Sequence, residues 1–247
     1  MIYFDLGNTR IKWWNGSQVY SCAYDQLDQA LGPLFANLGR DGNAVFASVI
    51  KDARRERFLR LAAQYPAVRL FECVVTESAA GVRCGYRDVV RLGVDRWLAV
   101  VAGWALYRKP LVVVDLGTAA TLDFVDAGGG HLGGYIVPGL NLGIKALLAG
   151  TDNVIVDQDQ LRSALRAPGG NTAEAVSHGA LAAIAALIEV SLVRHQVANP
   201  GALVLLAGGD APLVAQLLQC HYLHQEDLLF IGMTILHREG LTRAITP

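Results

Sequence analysis

A short apolar run that ends in Asp-Leu-Gly and then a polar turn occurs twice in this chain. The first copy is Ile2 to Phe4 followed by Asp5-Leu6-Gly7-Asn8-Thr9. The second is Leu111 to Val114 followed by Asp115-Leu116-Gly117-Thr118-Ala119. The copies lie 110 residues apart, so the repeat has the length of a domain. Ile11 to Trp14 and Gln18 to Cys22 read as two further strands after the first copy, joined by a hairpin turn at Asn15-Gly16. Thr121 to Val125 and Leu132 to Val137 do the same after the second, joined through Asp126 to Gly130. The first half continues with a helix over Asp25 to Leu38, a strand at Ala44 to Val49 and a helix over Asp52 to Gln64. A strand at Val68 to Phe71 and a long helix over Val94 to Tyr107 follow. In the second half, Asn141 to Leu148, Thr172 to His195 and Pro212 to Leu218 are predicted helices and Leu203 to Leu206 a strand. Glu226 to Arg243 is a closing helix interrupted near Gly232. This order predicts two similar α/β halves, each a sheet flanked by helices, with the cleft between them as a natural ligand site.

Charge excludes one class of partner. The 21 basic and 22 acidic side chains leave a formal net charge of -1, so there is no surplus to neutralise a nucleic-acid backbone. The 53% hydrophobic composition predicts extensive buried surface and room for a subunit interface. The most apolar stretches, Trp97 to Tyr107 and Gly179 to Ile188, are shorter than the ~20 residues of a membrane span, and Asp5 comes too early for a secretory leader. Cys22, Cys73, Cys84 and Cys220 are scattered, which predicts reduced thiols in a cytoplasmic protein rather than a zinc site. The six histidines show no ligand spacing; His178, His221 and His224 read as surface or packing residues. Trp13, Trp14 and Trp97 read as core.

The repeated turns have the chemistry of an anion site. A glycine at a strand end lets backbone N–H groups approach an anion closely. Asn8 and Thr9 add side-chain donors, and Asp5 suits a hydrated Mg²⁺, which takes few protein carboxylates. An ordinary turn uses the same residue types, and recurrence in the same context is what argues for more. Leu206-Ala207-Gly208-Gly209-Asp210 reads either as a Gly-Gly turn against which a ligand packs or as a helix start with Asp210 as N-cap.

Two Asp-x-Gly turns on paired halves resemble the phosphate-binding hairpins of the superfamily of sugar kinases, heat-shock chaperones and actin. Leu206 to Asp210 resembles its adenosine motif. Within that superfamily, Gly93-Val94-Asp95-Arg96 resembles the Gly-x-Asp-Arg motif of type III pantothenate kinases. The blocks Asp5 to Lys12, Asp115 to Ala119, Gly133-Gly134-Tyr135-Ile136-Val137-Pro138-Gly139, and Asn171-Thr172 leading to Gly179 follow in that family's order.

The resemblance implies two ribonuclease-H-like (actin-like ATPase) domains, residues 1–108 and 109–247, with mixed sheets flanked by helices and the active site in the cleft. It implies ATP-dependent phosphorylation of pantothenate, the first step of coenzyme A biosynthesis. Asp95 matches the proton acceptor. Tyr86, Gly93, Val94, Asp95 and Arg96 match pantothenate contacts, joined by Thr172 from the neighbouring subunit of a homodimer. Asp5, Leu6, Gly7, Asn8, Thr9, Arg10, Ile11, Lys12 and Thr118 match ATP contacts. Asp115 matches the ligand of a monovalent cation, K⁺ or NH₄⁺, beside the Mg²⁺ that accompanies ATP.

Separate physical arguments suit these roles. Arg96 is permanently charged and fits a carboxylate, although a surface ion pair with Asp95 or Asp88 is the plainer alternative. Asp95, with an ordinary pKa of about 3.9, cannot ionise an alcohol in advance, but dissociative phosphoryl transfer needs only a late proton acceptor. Asp95 could equally be a helix-terminal carboxylate stabilised by the helix dipole. A cation at Asp115 would reverse the sign of a second carboxylate beside ATP. Two other readings stay open: a regulatory accessory factor of this fold without turnover, and a kinase of this fold acting on another small hydroxyl substrate. Three acidic residues at motif positions favour turnover, since a binding module needs no proton acceptor.

Overall fold

The computed structural model describes residues 1–39, 42–151 and 167–245. The described chain divides into two compact units, Met1–Ala105 with Asp227–Pro247, and Leu106–Glu226.

The first unit opens with strands β1 (Ile2–Leu6), β2 (Ile11–Trp14) and β3 (Val19–Cys22). Helix α1 (Leu27–Asn37), β4 (Asn43–Ser48), α2 (Ala53–Ala63) and β5 (Arg69–Cys73) follow, then a small hairpin of β6 (Ser78–Ala79) and β7 (Val82–Arg83), and α3 (Val94–Tyr107). The second unit holds β8 (Leu111–Leu116), β9 (Ala119–Val125), β10 (His131–Pro138), α4 (Leu140–Ala149), α5 (Thr172–Ala198), β11 (Leu203–Ala207), α6 (Ala211–Ala215) and β12 (Tyr222–His224). The chain then closes with α7 (Leu228–Arg238) and β13 (Thr242–Ile245).

The repeat seen in the sequence is a repeat of topology. In the first sheet the order is β13-β5-β4-β1-β2-β3, and in the second β10-β9-β8-β11-β12. In each, the first three strands form an antiparallel meander and the first strand pairs in parallel with the strand beyond it, β4 or β11. β1 and β8 are therefore central and apolar on both faces, which is why each reads as an unbroken hydrophobic run. In the first core Phe4, Phe35, Phe46 and Phe58 pack ring against ring. In the second, the inner stripe of α5, Leu181, Ile184, Ala185, Ile188 and Leu192, packs with strand residues Val112, Val114 and Val204.

The end of the chain corrects two sequence expectations. The division at 108/109 assigned everything after it to the second half, yet the described residues from 227 to 245 belong to the first unit. There β13 pairs antiparallel with β5, Thr242 opposite Cys73 and Ile245 opposite Leu70. Helix α7 also runs unbroken through Gly232. Gly232 is there for contact: a Cβ would lie 2.3 Å from the carbonyl oxygen of Leu98 in α3. Backbone cannot yield as a side-chain tip does, so Gly232→Ala is expected to destabilise by about 2–3 kcal/mol, read as a lower denaturant midpoint. An unchanged midpoint would show that the helices separate freely.

Smaller differences concern ends. The predicted helix over Pro212 to Leu218 is the five-residue α6, and α5 extends three residues past His195. Trp13 and Trp97 are buried as expected, while Trp14 is half-buried and stacks on Phe230 of α7 at 6.3 Å. His178 is a packing residue, its Nδ1 2.8 Å from the Ala167 carbonyl oxygen. Helix α5 is long and apolar enough to cross a membrane by length and composition alone, a property shared by the core helices of folded domains, and half of its apolar stretch is buried in the second unit.

Candidate active site

The two Asp-Leu-Gly turns form equivalent hairpins. In the first, Asp5 lies opposite Lys12 and Leu6 opposite Ile11, and the Gly7 N–H closes the loop on Arg10 O at 3.2 Å. In the second, Asp115 lies opposite Thr121 and Leu116 opposite Ala120, and the Gly117 N–H closes on Ala119 O at 3.0 Å. Both aspartates occupy the penultimate position of a central strand rather than the turn itself, and both are half-buried. The strand therefore holds each carboxylate while the loop beyond it stays exposed, with Asn8, Thr9 and Arg10 at one tip and Gly117 and Thr118 at the other. Lys12 is exposed on β2.

Two side chains that the sequence did not single out reach the first hairpin. The Tyr24 hydroxyl donates to Gly7 O at 2.7 Å, and Arg54, in the first turn of α2, donates to Asn8 O. Burial, with the nearby Asp5 charge, pushes the Tyr24 hydroxyl well above its ordinary range. Neither position carries a motif, and only the packing of distant segments brings them here.

The second hairpin is crowded by backbone. The Gly139 N–H donates to Thr118 O at 3.1 Å, and a Cβ at Gly139 would lie 2.1 Å from Gly117 O. From the other side comes the Gly208-Gly209-Asp210 turn. Gly208 has φ of 92°, and a Cβ there would come within 2.5 Å of Asp115 Oδ1 and 2.4 Å of Leu116 O. Gly139 of the Gly133–Gly139 block and Gly208 of the Leu206–Asp210 turn thus both serve approach to the Asp115 hairpin. Asp210 stands at the N-cap position of α6, but its side chain makes no cap hydrogen bond; its backbone N–H donates to Leu116 O at 3.0 Å. Burial raises its carboxyl above the usual range.

The Gly93–Arg96 block forms the start of α3. The Trp97 N–H bonds Gly93 O at 3.0 Å, and the Asp95 Oδ1 folds back to accept the Arg96 N–H at 2.8 Å. A Cβ at Gly93 would sit 2.6 Å from that same oxygen, so glycine is what lets Asp95 adopt this position. Arg96 is buried, with 5% exposure. Its Nη1 donates to the Tyr86 hydroxyl at 2.7 Å and its guanidinium carbon stands 5.6 Å from the centre of the Tyr86 ring. The structure thus joins Tyr86, Gly93, Asp95 and Arg96 in one cluster. Asp88, the other suggested partner of Arg96, pairs with Arg91 at 3.0 Å.

Thr172 is the first residue of α5. The cap Asn171 accepts the Glu174 N–H at 2.9 Å, and Glu174 returns a bond to the Gly170 N–H at 2.7 Å, so the start of α5 is held from both directions. Thr172 is exposed and lines an apolar groove of about 780 Å³ between α4 and α5.

The family model described as type III pantothenate kinase matches residues 1–194. Curated relatives bear that name. The Chromohalobacter salexigens protein is 44% identical over 182 residues, 70% of this chain and 64% of that protein, under two thirds of its length. The Ectopseudomonas mendocina protein is 37% identical over 245 residues, 95% of this chain and 98% of that protein. Among solved structures, a conserved Campylobacter jejuni protein assigned to the Baf family of transcriptional activators superposes with a TM-score of 0.64 at 20% identity, covering 97% of this chain and 99% of that one. An archaeal actin homolog superposes with a TM-score of 0.51 at 10% identity, covering 97% and 100%. Likeness at such identities shows the fold, that of the actin-like ATPases.

Proposed function

The chain belongs to the type III pantothenate kinase family, and we infer from this that it transfers the γ-phosphoryl group of ATP to the hydroxyl of pantothenate. The product is 4'-phosphopantothenate, made in the first step of coenzyme A biosynthesis. The observation that carries the site assignment is the joined cluster of Tyr86, Gly93, Asp95 and Arg96 at the start of α3.

In this reading the buried Arg96, aimed by the Tyr86 hydroxyl, receives the pantothenate carboxylate with Gly93 and Val94 beside it. Asp95 accepts the substrate hydroxyl, orients it and takes its proton late, as a loose phosphoryl-transfer transition state requires. Residues Asp5 to Lys12 and Thr118 contact ATP. Asp5 is assigned to Mg²⁺ and Asp115 to K⁺ or NH₄⁺. Asp115 is half-buried, and its Oδ1 and the Leu116 carbonyl oxygen both lie close against the Gly208 turn. Carboxylate with neighbouring backbone oxygens is the donor chemistry such hard ions take. Bound cations would supply positive charge against the phosphates. In this reading the enzyme acts in the cytoplasm, in keeping with the scattered spacing of the four cysteines.

A homodimer is part of the same reading. Ala182, Ala186, Val190, Val193 and Val197 form an exposed stripe on α5, opposite the stripe that packs into the core. Leu132, Tyr135 and Ile136 add exposed apolar surface on the edge strand β10. A second copy would cover these faces.

The test of function is ADP release by purified protein. Release is expected to require pantothenate, and to rise at least several-fold when K⁺ replaces Na⁺ at fixed Mg²⁺ and ionic strength. Release indifferent to pantothenate would refute the substrate, and equal rates in the two salts would refute the role of Asp115.

A further inference from the structure

Tyr86 is delivered by a very short element. The β6–β7 hairpin pairs Ser78 with Arg83 and Ala79 with Val82. The Cys84 N–H extends its foot by donating to Glu77 O at 2.8 Å, and Tyr86 follows in the chain. A hairpin of this size is marginal by itself, so its place depends on what it is fixed to. Ala79 and Val82 are buried and hold its middle.

The tip is held separately. The turn is Ala80-Gly81, with φ of 50° at Ala80 and 85° at Gly81, the left-handed pair that a two-residue hairpin loop requires. Alanine takes that conformation at a cost, which surrounding contacts must offset. One such contact is long-range. The Ala80 N–H donates to Glu239 Oε2 at 3.0 Å, across a separation of 159 residues.

Glu239 stands at the end of α7, and its backbone is set by the way that helix stops. The Gly240 N–H donates to His237 O at 3.1 Å and the Leu241 N–H to Leu236 O at 2.9 Å, with Gly240 at φ of 71°. A helix C-terminus disfavours an acidic side chain, because the carbonyl ends there carry partial negative charge. Glu239 is thus placed against the electrostatics of its own helix, and the bond to Ala80 is what that placement provides. The same helix meets the other carrier of the substrate cluster. Gly232 of α7 lies against Leu98 O of α3, whose first turn holds Asp95 and Arg96. One helix therefore seats both the hairpin that leads to Tyr86 and the helix that holds Arg96, and Arg96 Nη1 donates to the Tyr86 hydroxyl at 2.7 Å.

We propose that Glu239 is a positioning residue for pantothenate: through the Ala80 N–H it fixes the β6–β7 hairpin on α7, which keeps Tyr86 against Arg96. The proposal rests on the reading of Tyr86 and Arg96 as pantothenate contacts.

The experiment uses the full chain with Glu239→Ala, Glu239→Gln, Tyr86→Phe, and Glu239→Ala combined with Tyr86→Phe. It reads kcat, KM for pantothenate and for ATP, and the melting temperature. Glu239→Ala and Tyr86→Phe are each expected to raise KM for pantothenate by about 3–10-fold, the worth of one hydrogen bond, with KM for ATP and the melting temperature nearly unchanged. Glu239→Gln keeps an acceptor oxygen and should stay within about twofold of the unsubstituted protein. Adding Glu239→Ala to Tyr86→Phe should raise KM for pantothenate by less than about twofold more, because the bond that Glu239 protects is already gone. Unchanged KM in Glu239→Ala, with a rise in Tyr86→Phe, would overturn the positioning role and leave the substrate reading standing. Unchanged KM in Tyr86→Phe would overturn that reading and the proposal with it. Fully multiplicative effects in the double variant would show that Glu239 acts independently of Tyr86 and would overturn the proposal. So would a Glu239→Gln protein as impaired as Glu239→Ala, or equal rises in both KM values with a lower melting temperature, which would mark general loss of structure.

Discussion

Asp95→Asn is expected to lower kcat by about 10²–10⁴-fold while the KM for ATP stays within a factor of about two. The substitution is close to isosteric. An amide oxygen can still accept the Arg96 N–H that Asp95 Oδ1 accepts at 2.8 Å, and Gly93 still leaves room for it. The start of α3 and the Tyr86–Arg96 pair should therefore persist, and what is lost is the ability to take a proton. The alternative role, a carboxylate that only stabilises the helix N-terminus, predicts a different result: about 0.3–1 kcal/mol of stability lost and turnover retained. Turnover near that of the unsubstituted protein would exclude Asp95 as the proton acceptor. Rate constants measured at saturating pantothenate separate this from weaker binding of the substrate.

Mixing two inactive variants should restore activity if each site draws on both subunits. Thr172 lies exposed at the start of α5, and Asp95 lies at the start of α3 in the other unit. Asp95→Asn and Thr172→Arg are each expected to reduce activity to a few per cent or less, on the order of a hundredfold loss. In a two-fold dimer of one subunit of each kind, one site takes both lesions and the other takes neither. Equal amounts, fully exchanged, give half of the dimers mixed and half of their sites intact, so about a quarter of normal activity should return. Demonstrated exchange without recovery would exclude a shared site. The exposed stripe from Ala182 to Val197 is where exchange should be blocked: Val193→Glu would place a charge within the proposed interface.

What was legible in the sequence is local in the chain. Each Asp-Leu-Gly hairpin is encoded by consecutive residues, since an apolar β-branched run predicts a buried strand and the glycine predicts the turn that ends it. The cap of α5 is likewise set by Asn171 and Glu174, three residues apart. The Gly93–Arg96 block was legible through its resemblance to the family's motif, and the meeting of its glycine and aspartate within a single turn is what the structure adds. The repeat was visible because both units use one strand order, and the same order demands the same pattern twice.

Other features depend on residues far apart in the chain, and no short window contains their cause. Residues 242–245 carry no stronger strand signal than the end of a helix, and it is pairing with β5 that makes them a strand and brings the end of the chain back to the first unit. Gly232 reads as a helix breaker by propensity, whereas its reason is the Leu98 carbonyl 2.3 Å from where a Cβ would stand. Tyr24 and Arg54 look like any exposed polar residues until folding sets them against Gly7 and Asn8. Gly208 announces a turn, but only the approach of Asp115 Oδ1 shows why that turn tolerates no side chain. Backbone conformation is governed by near neighbours and so is written in short patterns. Close approach between distant segments is governed by packing, which the linear pattern records only as an unexplained glycine or a polar residue in an unremarkable place.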